Sequence, residues 1–283
     1  MIASPFTYER AESVADALNL LAQNADAQVL AGGHSLIPAM KLRLNQPEGL
    51  IDISRIAALQ GCSDRGDHIY VGAGTTHGAI ANDPLLREHC SFIAEGSAMI
   101  GDIQVRNRGT LGGSIAHADP AADWPALLIA ADATIHLTAK SGDREVRAED
   151  FFTGFYETAL GEGELIVGVS FPKLRDNQRS AYAKFVQPAS RFAIVGVAAV
   201  LTIDGGTISD SRVAITGLSS NAFLATSVMD QLAGQSAAEA YLGAAAGAVK
   251  GTEDVLSDHY ASEAYRLHLA GVYVKRALAA CLA

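Results

Sequence analysis

Two short runs carry residue types suited to holding an anion: Ala31-Gly32-Gly33-His34-Ser35-Leu36 and Gly109-Thr110-Leu111-Gly112-Gly113-Ser114. Paired glycines permit positive φ and close approach to the backbone. Consecutive N–H groups beside a Ser or Thr hydroxyl form a concave donor set for phosphate oxygens. Each run by itself also reads as a tight turn; two in one domain argue for a ligand. The second run leads into His117-Ala118-Asp119-Pro120-Ala121-Ala122-Asp123-Trp124, which supplies two carboxylates and an imidazole. Asp123 can accept hydrogen bonds from sugar-like hydroxyls lying along Gly112-Gly113, can act as a helix N-cap ahead of Trp124-Pro125, or can do both. Neither run ends in GK[ST] or matches GxGxxG, which disfavours ordinary mononucleotide and Rossmann sites. No GxSxG elbow surrounds Ser35 or Ser114, so nucleophilic catalysis has no support. His34, His117, Asp119 and Asp123 compose a conceivable metal-dependent hydrolase site, but they lack HxxxH or HExxH spacing.

The elements that must position these residues follow from periodicity. Phe6-Thr7-Tyr8 is extended, Ser13 is placed to cap a helix with apolar Val14, Ala17, Leu18 and Leu21, and Val29-Leu30-Ala31 reads as a buried strand. That strand runs straight into the first glycine run and a helical Ala39 to Leu42. The run therefore sits at a strand's carboxyl end, where α/β sheets commonly bind ligands. Leu50 to Ile53 is the next strand and closes a first subdomain near residue 55. From Ile69 to Ala73 onward strands and helices mix without strict alternation: Pro84 opens one helix, Phe92 to Ile100 forms another, and a third surrounds Trp124 to Ala131. Strands follow at Thr134 to Thr138 and at Leu165 to Phe171. The polar run from Lys173 to Arg179 is the best domain boundary. Beyond it, Ala181 to Val186, Phe192 to Thr202 and Ile208 to Ile215 suit an antiparallel meander. Helical segments then lie at Ser227 to Leu232 and Ala237 to Val249. Ser262 caps a final helix whose Leu269, Val272, Tyr273, Ala277 and Ala280 share a face.

Composition bounds the remaining options. At 283 residues, 49% hydrophobic and 18% charged with 8 prolines, the chain is a globular protein of two packed domains, not a disordered or collagen-like one. With 21 Lys+Arg against 31 Asp+Glu, the net charge of -10 opposes phosphate-backbone binding, so nucleic acid is not expected as a partner. Cys62, Cys90 and Cys281 are too few and too far apart for a CxxC pair or an iron-sulfur cluster, and any cluster must sit on another chain. An odd cysteine count and a start without a signal-peptide pattern suggest a cytoplasmic protein. The longest apolar stretches, Ile194 to Ile203 and Pro125 to Ala131, fall short of the roughly 20 residues that span a bilayer.

Three runs, AGGHSLIPAMKLR, GTLGGSIAHADPAADWPALL and AYAKFVQPASRFAIVGVAAVL, together resemble the FAD-binding medium subunit of the molybdenum hydroxylases, the xanthine dehydrogenase and carbon monoxide dehydrogenase family. Their order and spacing match across essentially the whole chain. The resemblance implies an α+β fold: a two-subdomain FAD-binding domain of the vanillyl-alcohol-oxidase/PCMH type over 1–175, with subdomains of about 1–55 and 56–175. A C-terminal domain over 178–283 would follow, made of a three-stranded antiparallel sheet and a three-helix bundle.

By the same resemblance Val29, Leu30, Ala31, Gly32, Gly33, His34, Ser35 and Leu36 would cradle the FAD pyrophosphate, with Thr110, Gly112, Gly113 and Ser114 lining the other side. Asp123 would hold polar groups of the cofactor, Ile100 and Ile166 would pack against it, and Lys184 would approach the flavin end. Without the family context, a solvated lysine at a strand edge is the alternative reading of Lys184. In the turn Gln187 to Phe192, which varies among relatives, Arg191 or Phe192 is suggested as a flavin shield. Implied partners are a small subunit carrying [2Fe-2S] clusters and a large subunit carrying the molybdenum cofactor, assembled as a dimer of heterotrimers with an apolar docking surface. FAD would pass electrons to an external acceptor. Relatives that reduce aromatic thioesters carry a cysteine-bearing insertion for a further cluster, for which this chain lacks the cysteines. Two alternatives differ in class: a self-contained flavin oxidoreductase, which needs acid or base residues at the flavin, and the metal-dependent hydrolase.

Overall fold

The computed structural model describes residues 2–238, 243, 247, 252 and 254–283. The chain opens with a β-α-β-α-β unit of β1 (Thr7–Arg10), α1 (Val14–Gln23), β2 (Ala27–Leu30), α2 (Leu36–Lys41) and β3 (Gly49–Asp52). The three strands form a parallel sheet in the order β1-β3-β2. Ser13 caps α1, accepting from the N–H of Asp16, and Ala17 and Leu18 are the buried residues of that helix. They pack with Ile51 and Ile53. As the central strand, β3 is wholly buried. At the sheet edge β2 is only partly buried, which corrects the expectation of a buried strand there.

A second subdomain follows, with β4 (Cys62–Asp64), β5 (His68–Gly72), α3 (His77–Asn82), α4 (Pro84–His89), α5 (Ser91–Ala98), α6 (Ile103–Arg108), α7 (Leu111–His117) and α8 (Asp123–Ala130). It continues through β6 (Thr134–Ala139), β7 (Gly142–Arg147), α9 (Ala148–Phe151), β8 (Phe152–Gly154), β9 (Glu157–Thr158) and β10 (Leu165–Pro172). Its main sheet, β4-β5-β10-β6-β7, is antiparallel throughout. Every residue of α8 is buried. The reason is tertiary: this helix lies between the core of the second subdomain and the C-terminal sheet, so it is apolar all round and not amphipathic.

The C-terminal sheet comprises β11 (Gln178–Val186), β12 (Ala193–Asp204), β13 (Thr207–Thr216) and β14 (Phe223–Leu224), ordered as numbered. The three expected long strands pair antiparallel, and the two-residue β14 adds a fourth. Along β12 the pleat divides the apolar run between two cores. Ala198 and Val200 join the cluster around α8, while Val197, Ala199 and Leu201 join the cluster beneath the C-terminal helix. A strand buried on both faces needs an unbroken apolar sequence, which accounts for Ile194 to Leu201. Among the described residues two helices pack here, α10 (Thr226–Leu232) and the C-terminal helix Glu263–Leu282, with Ser262 accepting from the N–H of Tyr265. Most of the third expected helix, Ala237 to Val249, lies outside the described residues. The buried face of the final helix is Leu269, Ala270, Tyr273, Val274, Ala277, Leu278 and Cys281. Ala280 is exposed and Val272 partly buried, a rotation from the expected face that follows the side in contact with β11 and β12.

Candidate functional site

The first glycine run leaves the carboxyl end of β2 and turns into α2. Gly33 has φ +73°, in the left-handed region that favours glycine. His34 is exposed, and its Nδ1 lies 3.0 Å from the carbonyl of Gly32. Among the described residues no protein acceptor receives the backbone N–H of Gly32, Gly33, His34, Ser35 or Leu36, and Ser35 makes no side-chain cap bond. These donors form a partly exposed row at the start of a helix. Gly32 has a second constraint: a Cβ there would stand 2.1 Å from the carbonyl oxygen of Arg108 and 2.9 Å from Cα of Gly109. The two glycine runs therefore touch backbone to backbone.

The second run is a helix start. Thr110 is the N-cap of α7, accepting from the N–H of Gly113 at 3.1 Å. The N–H groups of Leu111, Gly112 and Ser114 go to the carbonyls of Thr75, Ala73 and Thr110. This run is accordingly no open donor nest, because the capped helix has already used its N–H groups. It presents instead the exposed α-carbon of Gly113 and the partly buried Ser114. A Cβ at Gly113 would lie 3.8 Å from Cβ of Ala31, so the wall faces the cradle.

Deeper in the fold, Asp123 opens α8, and the N-cap position belongs to Ala122. The carboxylate is engaged elsewhere. Lys184 Nζ lies 2.8 Å and 2.9 Å from its two oxygens, and the hydroxyl of Tyr182 donates to it at 2.5 Å. Lys184 also donates to the carbonyl of Met99 at 2.9 Å and has no exposed side-chain surface, so it is no solvated strand-edge lysine. Burial pushes the Asp123 carboxyl up and the Lys184 ammonium down, and their mutual attraction opposes both shifts. Burial also raises the Tyr182 hydroxyl. Next to Met99, Ile100 packs on the core that contains Ile166. The structure thus joins Asp123 and Lys184 at the start of α8, packs Ile100 and Ile166 on the same large core as that helix, and brings the two glycine runs into contact.

His77 carries no motif in the sequence, yet it is a node of the site. Its Nδ1 accepts from the indole N–H of Trp124 at 3.1 Å, its backbone N–H donates to Gly109, and its carbonyl accepts from Ser97. Burial, with the nearby charges of His34 and Arg106, lowers its pKa to about 4. The available signal was its place one residue after Thr76, which caps α3.

Comparison with known proteins decides the family. The model of the FAD binding domain in molybdopterin dehydrogenase matches residues 4–174, and that of the CO dehydrogenase flavoprotein C-terminal domain matches residues 180–281. The chain belongs to the molybdopterin dehydrogenase FAD-binding family. The carbon monoxide dehydrogenase medium chain of Hydrogenophaga pseudoflava is 39% identical, with 100% of this chain and 99% of that one covered. The glyceraldehyde dehydrogenase medium chain of Sulfolobus acidocaldarius is 35% identical, covering 96% of each. A structure of carbon monoxide dehydrogenase from Hydrogenophaga pseudoflava lacking the Mo-pyranopterin moiety of the molybdenum cofactor has a TM-score of 0.95 at 40% identity, over 99% of this chain and 98% of that one.

As a medium chain of this family the protein is the FAD-binding subunit of an oxidoreductase. Its own features fit that cofactor: a row of backbone donors without protein acceptors suits a pyrophosphate, and a glycine wall opposite leaves room for it. The residues of the hydrolase alternative do not converge. His117 packs edge-on against Tyr156, Asp119 accepts from the Tyr156 hydroxyl and the N–H of Ala121, and Asp123 is held by Lys184. Among the described residues no three His, Cys, Asp or Glu side chains meet where a metal could be held. Arg191, at φ +62°, and Phe192 stand exposed in a turn organised by the Gln187 side chain. No helix among the described residues is long and apolar enough to cross a membrane.

Proposed function

We propose that this medium chain carries electrons within a molybdenum hydroxylase complex, receiving them from [2Fe-2S] clusters on a small subunit and releasing them to a small-molecule or carrier acceptor. A large subunit bearing the molybdenum cofactor hydroxylates the substrate, and the assembly is a dimer of heterotrimers in the cytoplasm. The unpaired Cys62, Cys90 and Cys281 accord with a reducing compartment. Bound FAD supplies the redox chemistry.

The chain's residues bind and tune. The N–H groups from Gly32 to Leu36 hold the pyrophosphate, with the Ser35 hydroxyl beside them and the backbone of Val29 to Ala31 leading in. Thr110, Gly112, Gly113 and Ser114 form the facing wall. Ile100 and Ile166 supply apolar contact, while Asp123 and Lys184 form the polar end. Bound to each other and to the Tyr182 hydroxyl, the two side chains present a fixed, buried dipole at that end. The observation that carries this reading is the row of partly exposed backbone donors left without protein acceptors.

The test is flavin content. The purified chain, or the chain reconstituted with FAD, should show a flavin spectrum between about 300 and 600 nm with one FAD per chain and no iron. Gly113→Val should weaken retention, because its side chain enters the space toward Ala31 and crowds Thr110 Oγ1. Failure of the folded chain to bind FAD overturns the reading. Turnover of an organic substrate by the isolated chain with a dye acceptor would favour a self-contained flavin oxidoreductase instead.

A further inference from the structure

Helix α5 runs out into the turn Met99-Ile100-Gly101, where Gly101 has φ +51°, and α6 follows. Carbonyls at and beyond a helix's carboxyl end lack intrahelical partners, and cations are favoured there. Two side chains from other elements fill that role. Lys184 Nζ donates to the carbonyl of Met99 at 2.9 Å, and one terminal nitrogen of Arg106 donates to those of Ile100 and Gly101, each at 3.0 Å. Arg106 belongs to the last turn of α6. Helical side chains lean towards the N-terminus of their helix, which carries this guanidinium back over the turn that precedes α6.

The two cations differ in what offsets them. Lys184 lies 2.8 Å from the Asp123 carboxylate, so that pair has no net charge whichever member holds the proton. Arg106 forms no salt bridge among the described residues. It is partly buried, so solvent and salt screen it less than they would an open surface charge. Its charge is felt on both sides: it helps push the Lys184 ammonium down and lowers the His77 imidazole. Arg191 acts on Lys184 as well, but from an exposed turn where screening is stronger. Around Ile100, therefore, Lys184, Asp123 and Arg106 together keep one positive charge.

We propose that Arg106 is a positioning residue of the flavin end: anchored on the carbonyls of Ile100 and Gly101, it supplies the positive charge that favours reduced over oxidised FAD. The inference rests on the FAD site proposed above, with Ile100 against the cofactor. Uptake of two electrons and one proton leaves the flavin with one added negative charge, and nearby protein charge tunes how readily that happens. The Lys184–Asp123 pair, having no net charge, contributes little to that balance. Arg106 is the cation of this cluster left to answer it.

The test is the flavin midpoint potential of the full chain loaded with FAD, from anaerobic titration against a redox dye. Arg106→Gln removes the charge and keeps an amide donor for the carbonyls. Reduced FAD should then lose about tenfold in affinity relative to oxidised FAD, which for a two-electron couple is a potential about 30 mV lower. Arg106→Lys keeps the charge and should stay within about twofold of wild type on that scale. Because Arg106→Gln can also unsettle the turn, Ile103→Glu is an independent variant. Ile103 is 61% exposed and stands three residues before Arg106 on α6, so a carboxylate there offsets the guanidinium without entering the core. It should shift the ratio about threefold in the same direction, and Ile103→Gln should not. A wild-type potential in folded, FAD-loaded Arg106→Gln or Ile103→Glu overturns the proposal, as does an equal fall in Arg106→Lys and Arg106→Gln. Those results leave the FAD site standing. Absence of FAD binding by the wild-type chain is a different outcome, which removes the site itself and this residue's role with it.

Discussion

Replacing Lys184 by Met removes the cation from its buried salt bridge with Asp123 while preserving most of the aliphatic volume. Asp123, 3% exposed, would retain the hydrogen bond from Tyr182 and that from its own backbone N–H, but no counter-charge. The carbonyl of Met99 would lose its donor as well. Leaving one member of a buried ion pair unpaired costs about 3 to 5 kcal/mol. For a chain of this length each kcal/mol lowers Tm by roughly 2 °C, so a fall of roughly 6 to 10 °C is expected. The loss should depend on pH in a defined direction. Burial already raises the Asp123 carboxyl and Lys184 holds it down, so removing Lys184 raises it further above its unfolded value. A carboxylate raised in the folded state destabilises at high pH, and that penalty fades as pH falls through the folded pKa towards the unfolded one. The deficit of Lys184→Met should therefore be largest near pH 8 and smaller near pH 5. Thermal melts followed by circular dichroism at the two pH values measure this. Asp123→Leu in the Lys184→Met background should recover much of the loss, because two neutral partners leave no charge unpaired. A Lys184→Met protein as stable as wild type at pH 8, or a deficit independent of pH, would refute the reasoning.

Gly32→Ala should destabilise the chain by about 1 to 3 kcal/mol and loosen FAD, since the new methyl meets the Arg108 backbone at 2.1 Å and no rotamer change relieves it; an unchanged Tm with unchanged flavin content would show that the glycine runs do not press together. The His77 shift predicts an acid-side decline in the wild-type chain. Folding depresses this pKa from 6.5 to about 4, so the unfolded state binds the proton first, and about 3 kcal/mol of stability is lost as pH falls from 6.5 to 4. Urea unfolding across that range should show a decline that is shallower in His77→Gln, and identical profiles would contradict the assignment. Tyr182→Phe should cost about 1 to 3 kcal/mol by leaving an Asp123 oxygen unsatisfied, read from the same urea experiment; no change would mean that the hydroxyl adds nothing to the pair.

What was legible in the sequence was local. The capping of α1 by Ser13, the helix after Pro84, and the long strands on either side of 200 depend on neighbours within a few residues, and they stand where periodicity puts them. The first glycine run was readable for the same reason, since its donors are contiguous. The second was harder because glycine disfavours helix interiors. What overrides that preference is the cap from Thr110 and the proximity of Ala73, whose Cβ would be 2.6 Å from one at Gly112. The partners of the charged groups were not legible. Asp123 meets a lysine 61 positions away, and His77 meets an indole 47 positions away. Neither pairing leaves a spacing signal, and both require the C-terminal sheet and α5, which itself packs on α3 and β11, to be docked against α8 first. The consequence is functional. The donor row at Gly32 to Leu36 forms with the first subdomain's own strand-to-helix turn, whereas the polar end around Asp123 exists only once the C-terminal sheet has docked on α8. Lys184 and Tyr182 both come from that sheet. The C-terminal sheet therefore contributes the charge pairing of Asp123, and without that sheet Asp123 would lack both Lys184 and Tyr182.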